Sequence, residues 1–359
     1  MNQILMCLMA FGAICGGLDY LIGNRFHLGE RFEEGFKLLG PLAISMAGIM
    51  CLVPALSGLL STVIAPVCRV LHVDPGILGG ILAIDMGGYQ LSLSLASSPQ
   101  VGRFAGIFIA ATFGCTAVFT IPAGMTLLPE NARGDFAAGI LYGMISLPVS
   151  LLIGGLMCGL SFLETVAISL PILILAFLLS IGMMRSPEKM VRGFSRLAVG
   201  IQKASILGLI LGAVHYLTGF SILPEMMPLT EAMQVVCSIA IVMLGSLPLA
   251  ALLQKLLRRP IDWFGKREGL NGPGTTGLMI GIISVTPALG MFGGMNKRSR
   301  IINAAALVCG ASALAAHFGF TMAVEPDLGS PLLISKFAGM FVGICIAMVA
   351  TRNLKNGSE

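Results

Sequence analysis

Residues 274–294 read GTTGLMIGIISVTPALGMFGG, an apolar run that follows Gly272-Pro273 and is interrupted near its centre by Thr286-Pro287. The run is long enough to enter a bilayer, since a spanning helix needs about 20 mostly apolar residues. The proline and the glycines around it work against one straight helix. The stretch therefore reads as a broken spanning helix or as a hairpin that enters and leaves on one side. Residues 76–96, GILGGILAIDMGGYQLSLSLA, repeat the design: Asp74-Pro75 precedes them and Asp85-Met86-Gly87-Gly88 interrupts them. Paired interrupted segments in corresponding places of two halves mark where a transporter's binding site lies.

Working outward, further apolar stretches fall at 1–22, 38–54, 57–72, 102–125, 136–160, 165–184, 201–223, 233–254, 299–323 and 330–351. The 359 residues are 56% hydrophobic and only 11% charged, against roughly 25% charged in a soluble domain. That leaves too few charges to cover a water-facing surface. The reading is an all-α polytopic membrane protein of about ten spanning helices plus the two interrupted segments. The first apolar stretch lacks the basic leader of a secretory signal and is read as a membrane helix. The nine cysteines include no C-x-x-C pair, so they read as reduced packing residues with no metal site or disulfide framework. No cofactor is expected.

The two interruptions divide the chain into a first membrane repeat, 1–160, and a second, 161–351, followed by a short polar tail, 352–359. Pro75-Gly76 and Pro273-Gly274 open the interrupted segments, and Arg103 and Arg300 open the helices after them. If the interrupted segments are hairpins, each half crosses an odd number of times and the halves have inverted topology. Basic residues concentrate in 185–203, 255–267 and 297–300. Placing these inside, with both termini cytoplasmic, satisfies the positive-inside rule. The net charge of +5 is thus a topology signal, and no nucleic-acid partner is expected. The partners expected are the lipid bilayer and a small polar solute; small-residue surfaces leave a homo-oligomer open.

Asp85 is the acid that lies well inside an apolar stretch. An ionised carboxylate at that depth costs on the order of 3 kcal/mol or more unless something offsets it. A bound cation, a proton, a partner or a water-filled cavity would serve, and so would a protonated Asp capping a half-helix. Gly87 and Gly88 allow a ligand to approach the backbone, or simply allow close helix packing. Tyr89 offers an aromatic face to an ammonium, or ordinary packing; Gln90 offers a carboxamide to a hydroxyl. In the second half Ser284 and Thr286 present hydroxyls at the break, unless they bond back to the preceding turn. His317 is a proton acceptor, a substrate contact or a satisfied interhelical histidine; paired with Ser312 it is also the nearest approach to a catalytic dyad. Lys336 lies close enough to its helix start to snorkel. Glu33 and Glu34, on the amphipathic stretch RFEEGFKLLG, line an entrance or form a solvated interfacial face. No Walker A, H-E-x-x-H or G-x-S-x-G motif is present, and the expectation is a transporter rather than an enzyme.

Arg31-Phe32-Glu33-Glu34-Gly35-Phe36, Asp85-Met86-Gly87-Gly88-Tyr89, Ile301-Ile302-Asn303 and His317-Phe318-Gly319-Phe320 occur in this order along the chain. In that succession the sequence resembles the EutH family of ethanolamine-utilization permeases, from about residue 1 to 351. The resemblance implies a multi-pass protein of the bacterial inner membrane that admits ethanolamine for catabolism. A primary amine resembling Lys, with a pKa of about 10, is nearly all charged at neutral pH. Asp85 would then be its counter-ion, Tyr89 its cover, and Gln90, Thr286 or His317 the partner of its hydroxyl. The chain departs from the family pattern at Ser284, Val285 and Thr286, where amides are expected, at Ala316, where an acid is expected, and at Gln90, where a second aromatic is expected.

Overall fold

The computed structural model describes residues 2–71, 73–82 and 88–354. The described residues form helices and turns, with no strand among them. Among the described residues seven helices are long and apolar enough to cross a membrane, and eight if the bent pair Glu130–Ile145 and Leu147–Met157 is one span. The expected stretches 38–54 and 57–72 are not two helices. Leu39–Leu42, a π-helical turn over Ala43–Ala47 and the helix Gly48–Leu71 form one continuous run with Pro54 and Pro66 inside it. Proline interrupts a helix less in apolar surroundings, where neighbours re-satisfy the freed carbonyls. The stretch 299–323, expected as one helix, is instead broken: Lys297–Gly310 ends at Ala311, and Ala316–Val324 resumes after it. These two departures lower the number of helices long enough to span below the ten expected.

Glycines set how closely the long helices approach. A Cβ on Gly12 would lie 2.3 Å from the Gly245 carbonyl oxygen, and one on Gly208 would lie 2.0 Å from that of Gly48. Backbones that close exclude any side chain, as small residues do at membrane helix interfaces. Gly12 belongs to Asn2–Leu21 and Gly245 to Leu229–Arg267. Further along the same pair Gly16 meets Pro248, and Lys255 Nζ donates to the Phe26 carbonyl at 2.6 Å. The two helices therefore run parallel. Likewise Ser205 Oγ donates to the Ile44 carbonyl at 2.7 Å while Gly212 meets Cys51, so Pro187–Thr218 runs parallel to the helical run that contains Gly48.

Polar clusters tie the helix ends together. Arg298 Nε donates to the Glu268 carbonyl at 2.7 Å, and its guanidinium also reaches the Met348 and Thr351 carbonyls. A cation there completes the C-terminus of Gly329–Ala350, whose last carbonyls have no helical partner. At the opposite end Arg103 pairs with Glu325 at 2.7 Å and with Asp327, just ahead of Gly329–Ala350.

Other polar contacts close each interrupted segment on itself. Asp74 accepts from Gly76 N at 2.8 Å and from Ser97 N at 3.1 Å, holding together the two ends of the first. Asn271 Nδ2 donates to the Gly294 carbonyl at 2.7 Å and Asn296 Nδ2 to that of Gly269 at 3.0 Å, doing the same for the second. Each segment thus begins and ends at one place. The first lies next to the Arg103 end and the second next to the Arg298 end.

Candidate functional site

The second interruption consists of two short helices, Gly272–Gly281 and Val285–Gly290, with extended backbone at Ser284 between them. Asn271 caps the first arm by accepting from Gly274 N. Pro287 falls in the first turn of the second arm, where a missing N–H costs nothing. The break left by Gly281 and Ile282 meets the break at Ala311–Ala315. Ser312 N donates to the Gly281 carbonyl at 3.1 Å and Leu314 N to the Ile282 carbonyl at 2.9 Å. Ser312 takes φ 50°, a left-handed conformation that a non-glycine residue adopts at some cost. Two broken helices thus satisfy each other's backbone, as irregular chain at membrane depth must.

A cleft of about 230 Å³ opens beside this crossing. Ser284, Thr286, Ser312 and Ala316 line it, together with Met243, Leu247 and Glu34. The structure therefore brings Ser284 and Thr286 together. Glu34 stands among them because Gly29–Lys37 packs tightly on Leu229–Arg267: a Cβ on Gly35 would lie 2.8 Å from the Met243 carbonyl. Glu34 accepts from Arg31 at 2.6 Å, whereas Glu33 pairs with Lys37 at 2.8 Å.

Of the other expected site residues, His317 lies on the short helix Ala316–Val324 and Tyr89 at its far end. His317 is buried, and its Nδ1 lies 3.1 Å from Lys336 Nζ, which also donates to the Ala111 carbonyl at 2.5 Å. With a donor facing Nδ1, a neutral imidazole carries its hydrogen on Nε2. Lys336 does not snorkel: it is fully buried, in the second turn of Gly329–Ala350. Its long stem turns toward Ala111, in the π-helical stretch Phe104–Gly114, where wider turns loosen carbonyls for outside donors. Further on, Tyr89 packs edge-on to Phe320 with ring centroids 5.6 Å apart, and its hydroxyl donates to Glu325 at 2.5 Å. Tyr89 is buried and its hydroxyl is taken, while Gln90 beside it is half-buried. A helix rises about 1.5 Å per residue, so Ala316 and Glu325 stand roughly 14 Å apart. Ser284 and Thr286 lie at one end of that distance and Tyr89 at the other.

Gly88 serves close packing of the first hairpin, since a Cβ there would lie 2.0 Å from the Gly79 carbonyl. Asp85 and Gly87 lie outside the described residues. Two features of the site had no strong sequence signal. The break at Ala311–Ala315 contains neither proline nor glycine, and Gly310 just before it is its single hint. Lys336 is one cation in an apolar run, indistinguishable by spacing from one that reaches the interface.

The family model for the ethanolamine utilisation protein EutH matches residues 1–350. The chain belongs to the EutH family. A protein of Listeria monocytogenes named "Probable ethanolamine permease EutH" is 35% identical over 356 residues, covering 99% of this chain and 95% of that protein. An Escherichia coli protein of the same name is 30% identical, covering 97% and 95%. The Bacillus subtilis protein YxeR, described as uncharacterized, is 34% identical, covering 94% and 92%. No solved structure matches. EutH membership and the long apolar helices together make this a multi-span membrane protein with permease relatives in bacteria.

Proposed function

We propose that this EutH protein carries ethanolamine, as ethanolammonium, across the bacterial inner membrane into the cell for catabolism. The observation that carries the reading is the meeting of two broken helices at Gly281–Ser284 and Ala311–Ala315, with hydroxyls and a cleft beside it. Helix breaks that exchange backbone bonds leave polar groups free to meet a solute, as in transporters with discontinuous helices. Ethanolammonium has four heavy atoms, and a water's share of liquid volume is about 30 Å³, so the cleft has room for it. In this reading Ser284, Thr286 and Ser312 meet the hydroxyl. Asp85, in the first interruption, pairs with the ammonium, and Gly87 and Gly88 let the backbone bend there. His317, then Tyr89 and Gln90, are met farther along the path, on the side of the first hairpin.

The same reading makes the molecule two inverted halves. Four observations support it. Gly12 meets Gly245 as Gly208 meets Gly48. Gly48 precedes Arg103 by the same number of residues as Gly245 precedes Arg300. The interrupted segments open toward opposite ends. The first helix after each, from Arg103 or Arg300, departs from regular α-helix at matching places: π-helical turns around Gly114 and the break at Ala311. In this arrangement Phe162–Arg185 is the link that inverts the second half, and the chain crosses roughly nine times. The Arg298 end, which gathers the basic segments, is cytoplasmic by the positive-inside rule.

Uptake of labelled ethanolamine into proteoliposomes at acidic external pH, with and without an imposed proton gradient, tests the function. Saturable uptake above empty liposomes is expected, and the response to the gradient reports whether protons drive it. Folded, correctly inserted protein without uptake would overturn the ethanolamine reading. Competition by other small amines and amino acids would then identify the cargo, with Ser284, Thr286 and Ala316 as the positions that set it.

A further inference from the structure

We infer that Glu34 is a cation-binding station on the route between the crossed helix breaks and the basic end of the molecule. The inference rests on the ethanolammonium reading and adds a residue to it. Two clefts follow one another along the same three elements. The inner one, of about 230 Å³, is the cleft at Ser284, Thr286 and Ser312, with Glu34 in its wall. The outer one, of about 380 Å³, has His27, Glu30, Arg31, Lys255, Arg258 and Asp262 in its wall. On Gly29–Lys37 the outer cleft takes Glu30 and Arg31, and the inner takes Glu34 one turn on. Along Leu229–Arg267 the outer takes Lys255 and the inner Leu247 and Met243. In the second hairpin the outer takes Thr276 and Met279, and the inner Ser284.

The Arg31–Glu34 ion pair, at 2.6 Å, stands at the boundary, because each partner belongs to a different cleft. A carboxylate facing a small cleft rimmed with hydroxyls matches a hydroxyalkyl ammonium at both of its ends. Its hydrogen bond to an ammonium is charge-assisted and roughly twice as strong as a neutral one. Arriving substrate would replace the Arg31 guanidinium at Glu34 and free Arg31 toward the outer cleft. With the Arg31 and Glu34 side chains 51% and 44% exposed, the pair is solvated and worth about 0–1 kcal/mol, which an arriving ammonium can displace. Glu33, on the same helix, faces neither cleft and holds Lys37 instead.

Uptake kinetics of labelled ethanolamine in proteoliposomes test this with Glu34→Gln, Glu33→Gln and Arg31→Gln. Glu34→Gln is expected to raise KM at least tenfold while the protein stays monodisperse. Glu33→Gln is expected to stay within twofold of the parent. Arg31→Gln, which removes the internal competitor, is expected to lower KM severalfold. An unchanged KM in Glu34→Gln, with saturable uptake by the parent, overturns the Glu34 station and leaves the ethanolamine reading standing. Absence of uptake by the parent overturns both. Should Glu34→Gln fail to fold, Glu34→Asp and Arg31→Gln replace it, and an unchanged KM in both overturns the inference.

Discussion

At the scale of single residues, the strongest demand comes from Lys336. Its amine is shared between the Ala111 carbonyl and His317 Nδ1 in a fully buried place. Lys336→Met leaves both acceptors without that donor, and an orphaned buried polar group costs about 1–3 kcal/mol. The expected outcome is a thermal midpoint in detergent lower by several degrees. Adding His317→Leu removes one of the orphans, so the double variant should be more stable than the two single losses added together. A double-mutant cycle measures that coupling, and strict additivity would show that the contact contributes nothing. Asp85 gives the second prediction at this scale. Losing a charge-assisted contact of about 1.5–3 kcal/mol corresponds to roughly ten- to a hundredfold in affinity. Asp85→Asn should therefore abolish saturable uptake at substrate levels that serve the parent, with insertion unchanged; parental uptake would remove Asp85 from the site.

At the scale of elements, glycine-mediated helix pairs carry the packing. A Cβ on Gly208 would strike the Gly48 carbonyl, a backbone atom that cannot rotate away. Gly208→Ala should cost about 1–3 kcal/mol by overpacking and lower the thermal midpoint. Gly134→Ala is the matched control. It lies exposed in Glu130–Ile145 with nothing near its missing Cβ, and removing an interior helix glycine gains up to about 1 kcal/mol. Equal melting of the two variants would show that the close approach is not what holds Pro187–Thr218 in place.

The same elements show what a sequence can and cannot express. The second interrupted segment and the opening of the first were legible, because Pro75-Gly76, Pro273-Gly274 and Thr286-Pro287 are punctuation that acts locally. The break at Ala311–Ala315 was not legible. It is imposed by the partner break at Gly281 and Ile282, and its residues are ordinary helix formers. Fusion of 38–54 with 57–72 was missed for the converse reason, since Pro54 reads as a stop in isolation. In the site, Ser284 and Thr286 were legible as hydroxyls beside a break. Glu33 and Glu34 were legible as a pair that lines an entrance or forms a solvated face; that Glu34 and not Glu33 reaches the cleft follows from the packing of Gly35 on Met243.

At the scale of the whole molecule, direction of travel fixes which surfaces the chain ends occupy. The sequence led to an even number of crossings, with both termini on one side. The continuous run through Gly48–Leu71 removes one crossing, and the packing agrees. Asn2–Leu21 runs parallel to Leu229–Arg267, so Phe26 lies beside Lys255 and the start of the first helix points away from that end. The last helix ends at Arg298, beside Glu268. The first and last helices therefore begin and finish at opposite ends. Basic residues of 255–267 and 297–300 cluster with the C-terminal end, the end that the proposed reading makes cytoplasmic by the positive-inside rule. Reporter domains fused ahead of Asn2 and after Thr351 should accordingly report opposite sides, with the C-terminal one cytoplasmic. Two cytoplasmic reporters would require 38–54 and 57–72 to cross separately. That would contradict the parallel packing of Asn2–Leu21 on Leu229–Arg267, which puts the start of the first helix opposite the Arg298 end.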